Sequence, residues 1–227
     1  MKLRGIPTFV FAAAAALLFF RLPFLVFEKA PLDYMLYINQ KIFYYHVPAA
    51  MMMFLAVFVC GVASVLFLVK RDPKFDDVAL AAGDLVVTFG LIVLVTGPIW
   101  AKAAWGVPWV WEARLTQSLL LWMIFVAYAL VRRYGGAGSE RLASGLALFG
   151  MVNVPMVYFA VNFWKTQHPT NKVVPNLRGA MLSVFGTATL SYFLLFLVLL
   201  SVRLAVGRGQ RRLAAAHDLA VENGHLD

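Results

Sequence analysis

Six runs of mostly apolar residues, at about 6–27, 47–69, 78–99, 115–131, 142–161 and 179–202, approach or reach the roughly 20 residues that a helix needs to cross a bilayer. In hydrocarbon no water is present to satisfy backbone N–H and C=O groups, so such runs must satisfy their own and fold as helices. They predict an all-α membrane protein, a polytopic bundle of six transmembrane helices with three outward loops. It forms a single domain over residues 1–227, with a tail at 203–227. Composition agrees, since 62% of the residues are hydrophobic, 14% are charged and the mean hydropathy is +0.79. The core of the first run, FVFAAAAALLFF, has the look of a secretory signal. It lacks a small-residue cleavage site and continues through Arg21 and Pro23, so a retained helix is expected, with Arg21 near its far end.

A net charge of +9 would point to nucleic acid in a soluble protein, but here the cations flank the spans and read as topology signals, with no nucleic-acid partner. Lys2, Arg4, Lys70, Arg71, Lys74, Arg132, Arg133, Arg141, Arg203, Arg208, Arg211 and Arg212 collect on one side. The other side has fewer, Lys29, Lys41, Lys102, Arg114, Lys165, Lys172 and Arg178, spread over longer loops. Both termini are therefore expected in the cytoplasm and the three loops at about 28–46, 100–114 and 162–178 outside, on the periplasmic face of a bacterial inner membrane. These loops exceed the inner ones at about 70–77 and 132–141, so function is expected there. The first is expected to hold a short helix lying on the membrane from about Asp33 to Tyr45. The tail is expected to be a cytoplasmic surface helix that frays. The lone Cys60 leaves no disulfide framework, no CxxC pair and no CxxCH haem-attachment site, and with no phosphate loop any ATP-driven step falls to a partner chain.

One stretch departs from the lipid-compatible pattern. In WAKAAWGVPWVWEARLT, Trp100, Trp105, Trp109 and Trp111 arrive together with Lys102, Gly106, Pro108, Glu112 and Arg114. An interfacial aromatic belt is one reading, because the indole ring is apolar and its N–H polar. A platform for a flat, conjugated ligand is the other. Of the four histidines, His217 and His225 belong to the tail, whereas His46 and His168 both fall at the outward membrane boundary. Two imidazoles on one face, with a Trp-rich loop between them in sequence, suit axial ligation of a haem iron. Arg114 reads equally as a partner for a propionate or for Glu112. Asp84, close to the cytoplasmic edge, reads as a structural cap or ion pair, Asn153 is the other notable polar residue in the spans, and Met51 to Met53 read as packing.

GPIWAKAAWGVPWVWEARLT resembles the tryptophan-rich signature of haem-handling proteins in cytochrome c biogenesis, and the chain is most similar to the haem exporter protein C family, CcmC. The resemblance extends to YYHVPAAM around His46 and NVPMVYFAVNFWKTQHPT around His168, and it covers most of residues 40–200. It implies haem held at the outer face, with His46 and His168 as axial ligands and Trp100, Trp105, Trp109, Trp111, Glu112 and Arg114 contacting the cofactor. It also implies delivery to a periplasmic haem chaperone, CcmE-like, alongside CcmA- and CcmB-like ABC transporter subunits, with membrane lipid around the bundle and no enzymatic step. The family usually carries Asp where this chain has Glu112, one methylene longer. Two other classes of function are a permease for haem or another small molecule and a synthetase that attaches haem to apocytochrome. Few polar groups in the spans speak against the first. The synthetases that share the signature are larger, with more spans and histidines.

Overall fold

The structure is a computed structural model that describes residues 6–170 and 172–222. Lys2, Arg4 and His225 lie outside the described residues. Among the described residues six long helices carry the chain: α1 Ile6–Phe24, α2 Phe43–Lys70, α3 Pro73–Trp105, α4 Ala113–Tyr134, α5 Ser139–Phe163 and α6 Gly179–Glu222. Each contributes to one of six segments long and apolar enough to cross a membrane, and no strand forms among the described residues beyond an isolated bridge between Asp33 and Tyr37. The chain is an all-α, multi-pass membrane protein.

The order of the helices follows from how they are stopped and restarted. Arg71 ends α2 in the left-handed region, at φ 57°, and donates its N–H to Phe67 O at 2.8 Å. Asp72 then caps α3 by accepting the Lys74 N–H at 2.9 Å, and Pro73 occupies the first helical position, where no N–H is needed. A connection this short forces α2 and α3 to lie antiparallel, and they form the most extensive helix pair of the bundle. Around them α5 and α6 pack on α2, α4 bridges α3 and α5, and α1 lies on α6.

Association of helices within lipid depends on close packing and on polar contacts rather than on expulsion of water. Small residues make that packing possible here. A Cβ on Gly83 of α3 would come 2.5 Å from the Tyr128 ring, and one on Gly150 of α5 would come 2.5 Å from the Phe125 ring. Tyr128 and Phe125 of α4 therefore sit in notches on both neighbours. Side chains tie the same helices: Trp122 Nε1–H donates to Val87 O at 3.0 Å, and Asn153 Nδ2–H donates to Gln117 O at 3.2 Å.

Charges gather at the end of the bundle away from the tryptophans. Arg132 pairs with Asp76 at 2.6 Å, Arg211 with Asp77, and Arg203 Nε–H donates to Asp84 Oδ2 at 2.8 Å. Asp84 is thus a structural partner joining α3 to α6, as its place near the end of the span implied. At the opposite end a second apolar cluster, including Leu22, Val26, Tyr44, Phe185 and Ala188, binds α1 and the π-helical turn Leu25–Lys29 to the starts of α2 and α6.

Several expectations from sequence are refined by the structure. The third helix runs past residue 99 to Trp105, because Ala101 to Ala104 are compatible with a helix, and Gly106, at φ 81°, ends it by donating its N–H to Lys102 O at 3.1 Å. The surface helix expected from Asp33 to Tyr45 is absent. The Asp33 carboxylate accepts the N–H groups of Met35 and Leu36, both at 2.8 Å, a short 3₁₀ turn follows at Ile38–Ile42, and α2 starts at Phe43. Lys41, counted among the cations of the outward loops, is 2% exposed and donates to Ala30 O, tying the first loop to the base of α2. The tail through Glu222 continues α6 without a break, since Gly207 and Gly209 only weaken a helix.

Because Asp84 and Arg203 are about a third exposed, their interaction is worth about 1 kcal/mol. Thermal unfolding of the detergent-solubilised protein is expected to be lowered by Asp84→Ala and by Arg203→Ala, and the double variant to be no less stable than the weaker single one. Fully additive losses would remove the pairing from the account.

Candidate functional site

At the Trp-rich end, α2 and α3 line a cavity of about 590 Å³, within the range of small-molecule and cofactor sites. Its walls come from the first turns of α2, the last turns of α3, the start of α4 and the loop between α5 and α6. Both boundary histidines line it. The sequence places them more than a hundred residues apart, and the fold brings them to one space.

His46 lies in the first turns of α2, and its ring packs on α3 where that helix has no side chain. A Cβ on Gly97 would sit 3.3 Å from His46 Cε1, tighter than ordinary contact. The neighbouring Thr96 Oγ1 is 2.8 Å from His46 Nδ1. His168 comes from the loop after α5. Its Nδ1–H donates to Pro169 O at 2.9 Å, and since a carbonyl oxygen can only accept, Nε2 is the nitrogen left with a free lone pair. Burial, and next the positive charge of Arg114, pushes the His168 imidazole down to about 3, so it is neutral at neutral pH.

The four tryptophans divide into two roles. Trp100 and Trp105 occupy the last turns of α3 with their rings edge to face at 5.5 Å, Trp109 lies in the connector to α4, and all three line the cavity. Trp111 does not. It is 77% exposed and packs edge-on against Trp109 at 5.7 Å, supporting that ring from outside. Arg114 lines the cavity as well, its NH1 3.5 Å from Tyr158 O, whereas Lys102 is exposed and takes no part in the wall.

Glu112 is also absent from the wall. Its Oε2 accepts the Gln167 N–H at 2.6 Å, a bond spanning 55 residues, so the carboxylate fastens the Trp loop to the residue next to His168. A side chain that holds the His168 loop in register shapes the cavity without lining it. Sequence reasoning passed over Thr96, Gly97, Tyr158, Gln167 and Pro169. The one signal for the first two was a hydroxyl beside a Gly-Pro pair at the end of an otherwise apolar run.

The donor set points to a particular kind of occupant. Among the described residues no three His, Cys, Asp or Glu side chains converge as they would around a bare metal ion. Two imidazoles on one cavity instead suit a metal that arrives with its own equatorial donors in a flat, apolar ring. Two buried polar atoms on wall residues, Trp109 Nε1 and Gln40 Oε1, have no hydrogen-bond partner among the described residues; an acceptor on an occupant would satisfy the Trp109 N–H, whereas Gln40 Oε1 needs a donor.

Comparison with known proteins gives a consistent picture. The family described as Heme exporter protein C matches residues 1–217. A cytochrome c biosynthesis ccmC-like mitochondrial protein of Marchantia polymorpha is 36% identical over 159 residues, 70% of this chain and 64% of the relative. The Heme exporter protein C of Paracoccus denitrificans is 34% identical over 200 residues, 85% of this chain and 82% of the relative. That of Escherichia coli K12 is 33% identical over 177 residues, 73% of this chain and 71% of the relative. The chain thus spans less than two thirds of the Marchantia relative's length.

The Glu112 latch makes a local forecast. Removing a charge-assisted hydrogen bond of roughly 1.5–3 kcal/mol should speed exchange of the Gln167 amide by about tenfold or more in Glu112→Ala, with less effect in Glu112→Gln, which keeps an acceptor. Hydrogen exchange followed by mass spectrometry of the 164–178 segment reads this out. An unchanged Gln167 amide would show that the two loops are held by something else.

Proposed function

The chain belongs to the Heme exporter protein C family, and from that premise we propose that it holds haem at the periplasmic face of the bacterial inner membrane and passes it to a periplasmic chaperone for c-type cytochrome biogenesis. The observation that carries this reading is the cavity that His46 and His168 share with Trp100, Trp105 and Trp109. Haem supplies the iron, and the chain supplies the two axial imidazoles. The indole faces offer flat apolar area at little conformational cost. Arg114 and the unpartnered Trp109 N–H suit the propionates, which need a cation and donors.

In this reading Glu112 acts through the loop it fastens, and Trp111 serves the exterior. Its exposed indole, packed on a wall residue, suits contact with the chaperone that collects the haem. CcmA- and CcmB-like ABC subunits provide any ATP-driven step, and this chain makes and breaks no covalent bond. The gathering of Lys70, Arg71, Lys74, Arg132 and Arg133 at the end opposite the cavity supports a cytoplasmic location for that end and for both termini. The long helices run through without the broken midplane segments typical of permeases, which favours delivery from the outer end over transport through the bundle.

The reading is tested by absorption spectroscopy of the purified, haem-loaded protein and its variants. Wild type is expected to give a low-spin, six-coordinate spectrum. His46→Ala and His168→Ala are each expected to become five-coordinate or to take an external ligand, with added imidazole restoring the low-spin form. The double variant should lose most of its haem. A six-coordinate spectrum unchanged in either single variant would remove that histidine from the ligand pair.

A further inference from the structure

Thr96 stands behind His46, outside the cavity wall, and its hydrogen bonds have only one consistent direction. Its hydroxyl has a single proton, and Oγ1 lies 2.7 Å from Ile92 O, an oxygen that can only accept. The proton is therefore given to Ile92. Back-bonding of this kind is common for a helical Thr and carries no function by itself. What distinguishes Thr96 is that its remaining lone-pair side meets an imidazole from another helix, at 2.8 Å and 50 residues away in sequence. With its proton committed, Oγ1 must accept, so His46 Nδ1 carries the hydrogen and Nε2 is left bare.

We propose that Thr96 is a positioning residue that fixes the tautomer of His46, so that Nε2 is the nitrogen presented to the cavity. Gly97 completes the seat, because a Cβ there would come 3.3 Å from His46 Cε1 and press on the ring. His168 is set in the same sense by a different partner, the Pro169 carbonyl. Both imidazoles are thereby prepared before anything binds, one by a helix side chain and one by the backbone of its own loop. Partners of this kind around a metal-bound histidine fix ring orientation and raise ligand basicity, and losing one typically costs 10–100-fold in affinity.

The proposal rests on the two-imidazole reading of the cavity, and its test separates the two. Full-length protein labelled with ¹⁵N-histidine, free of haem and in lipid nanodiscs, is measured by long-range ¹H–¹⁵N correlation, with the His46 signals identified by their loss in His46→Ala. Wild type and Thr96→Ser are expected to show a protonated Nδ1 and a bare Nε2. Thr96→Val, which keeps the side-chain shape, and Thr96→Ala, a second hydroxyl-free variant, should shift His46 towards the Nε2–H form. In haem-loaded samples, the two hydroxyl-free variants should lose haem to apomyoglobin about tenfold faster than wild type, and Thr96→Ser should match wild type. A His46 tautomer unaffected by loss of the hydroxyl, or an Nε2–H form in the wild type, overturns the assignment. So does an altered tautomer with unaltered haem release, provided His46→Ala releases haem faster. If His46→Ala releases haem no faster than wild type, the axial-ligand reading is what fails, and the tautomer measurement still decides the hydrogen-bond assignment.

Discussion

The close packing of α2 against α3 is the constraint on which the site depends. A two-residue turn at Arg71–Asp72 fixes their antiparallel register, and small residues such as Ala49, Ala56, Ala63, Ala79 and Ala82 let the backbones approach along the shared core. Register set at the charged end determines what meets at the other. It brings His46 against Thr96 and Gly97, at a level where both helices line the cavity. A slip of one turn would part the imidazole from its hydroxyl partner and bring a side chain under the ring.

The rest of the site is assembled from connectors, and each is held by a specific polar contact. The Asp33 turn and buried Lys41 fix the segment that leads into α2, and Glu112 joins the Trp loop to the loop bearing His168. These contacts matter because a loop at a membrane surface has little apolar burial to define its shape. The resulting arrangement is asymmetric. One imidazole rides on a 28-residue helix and the other on a loop joined to the Trp loop by the Glu112 carboxylate at Gln167 and packed through Val174 and Leu177 into the second apolar cluster.

Much of this was legible in the sequence, for identifiable reasons. Spans are set by length and hydropathy, which are local properties, and the six helices follow. Trp at a membrane boundary is ordinary as an aromatic belt, and His46, His168 and the Trp cluster stood out only as a combination, two imidazoles on one face with a Trp-rich loop between them in sequence. Other features depend on contacts that no local pattern encodes. The extension of α3 to Trp105 was hidden because residues 78–99 already fill a span and WAKAAW reads together with the Gly- and Pro-broken loop that follows it. Burial of Lys41 depends on carbonyls freed at the π-helical turn before it. The Thr96 and Glu112 contacts join residues 50 and 55 positions apart, and in sequence both looked like members of neighbouring motifs rather than links between them.

The account stands on one claim, that His46 and His168 approach a single flat group from its two faces while Trp100, Trp105 and Trp109 border it. A density map of the haem-loaded, full-length protein in a lipid nanodisc tests it most directly. The predicted result is a porphyrin lying between the start of α2 and the loop after α5, with continuous density from iron to Nε2 of both histidines and Trp111 outside the cavity. A porphyrin bound elsewhere on the protein, or an iron joined to only one of these imidazoles with the other turned away, would contradict it.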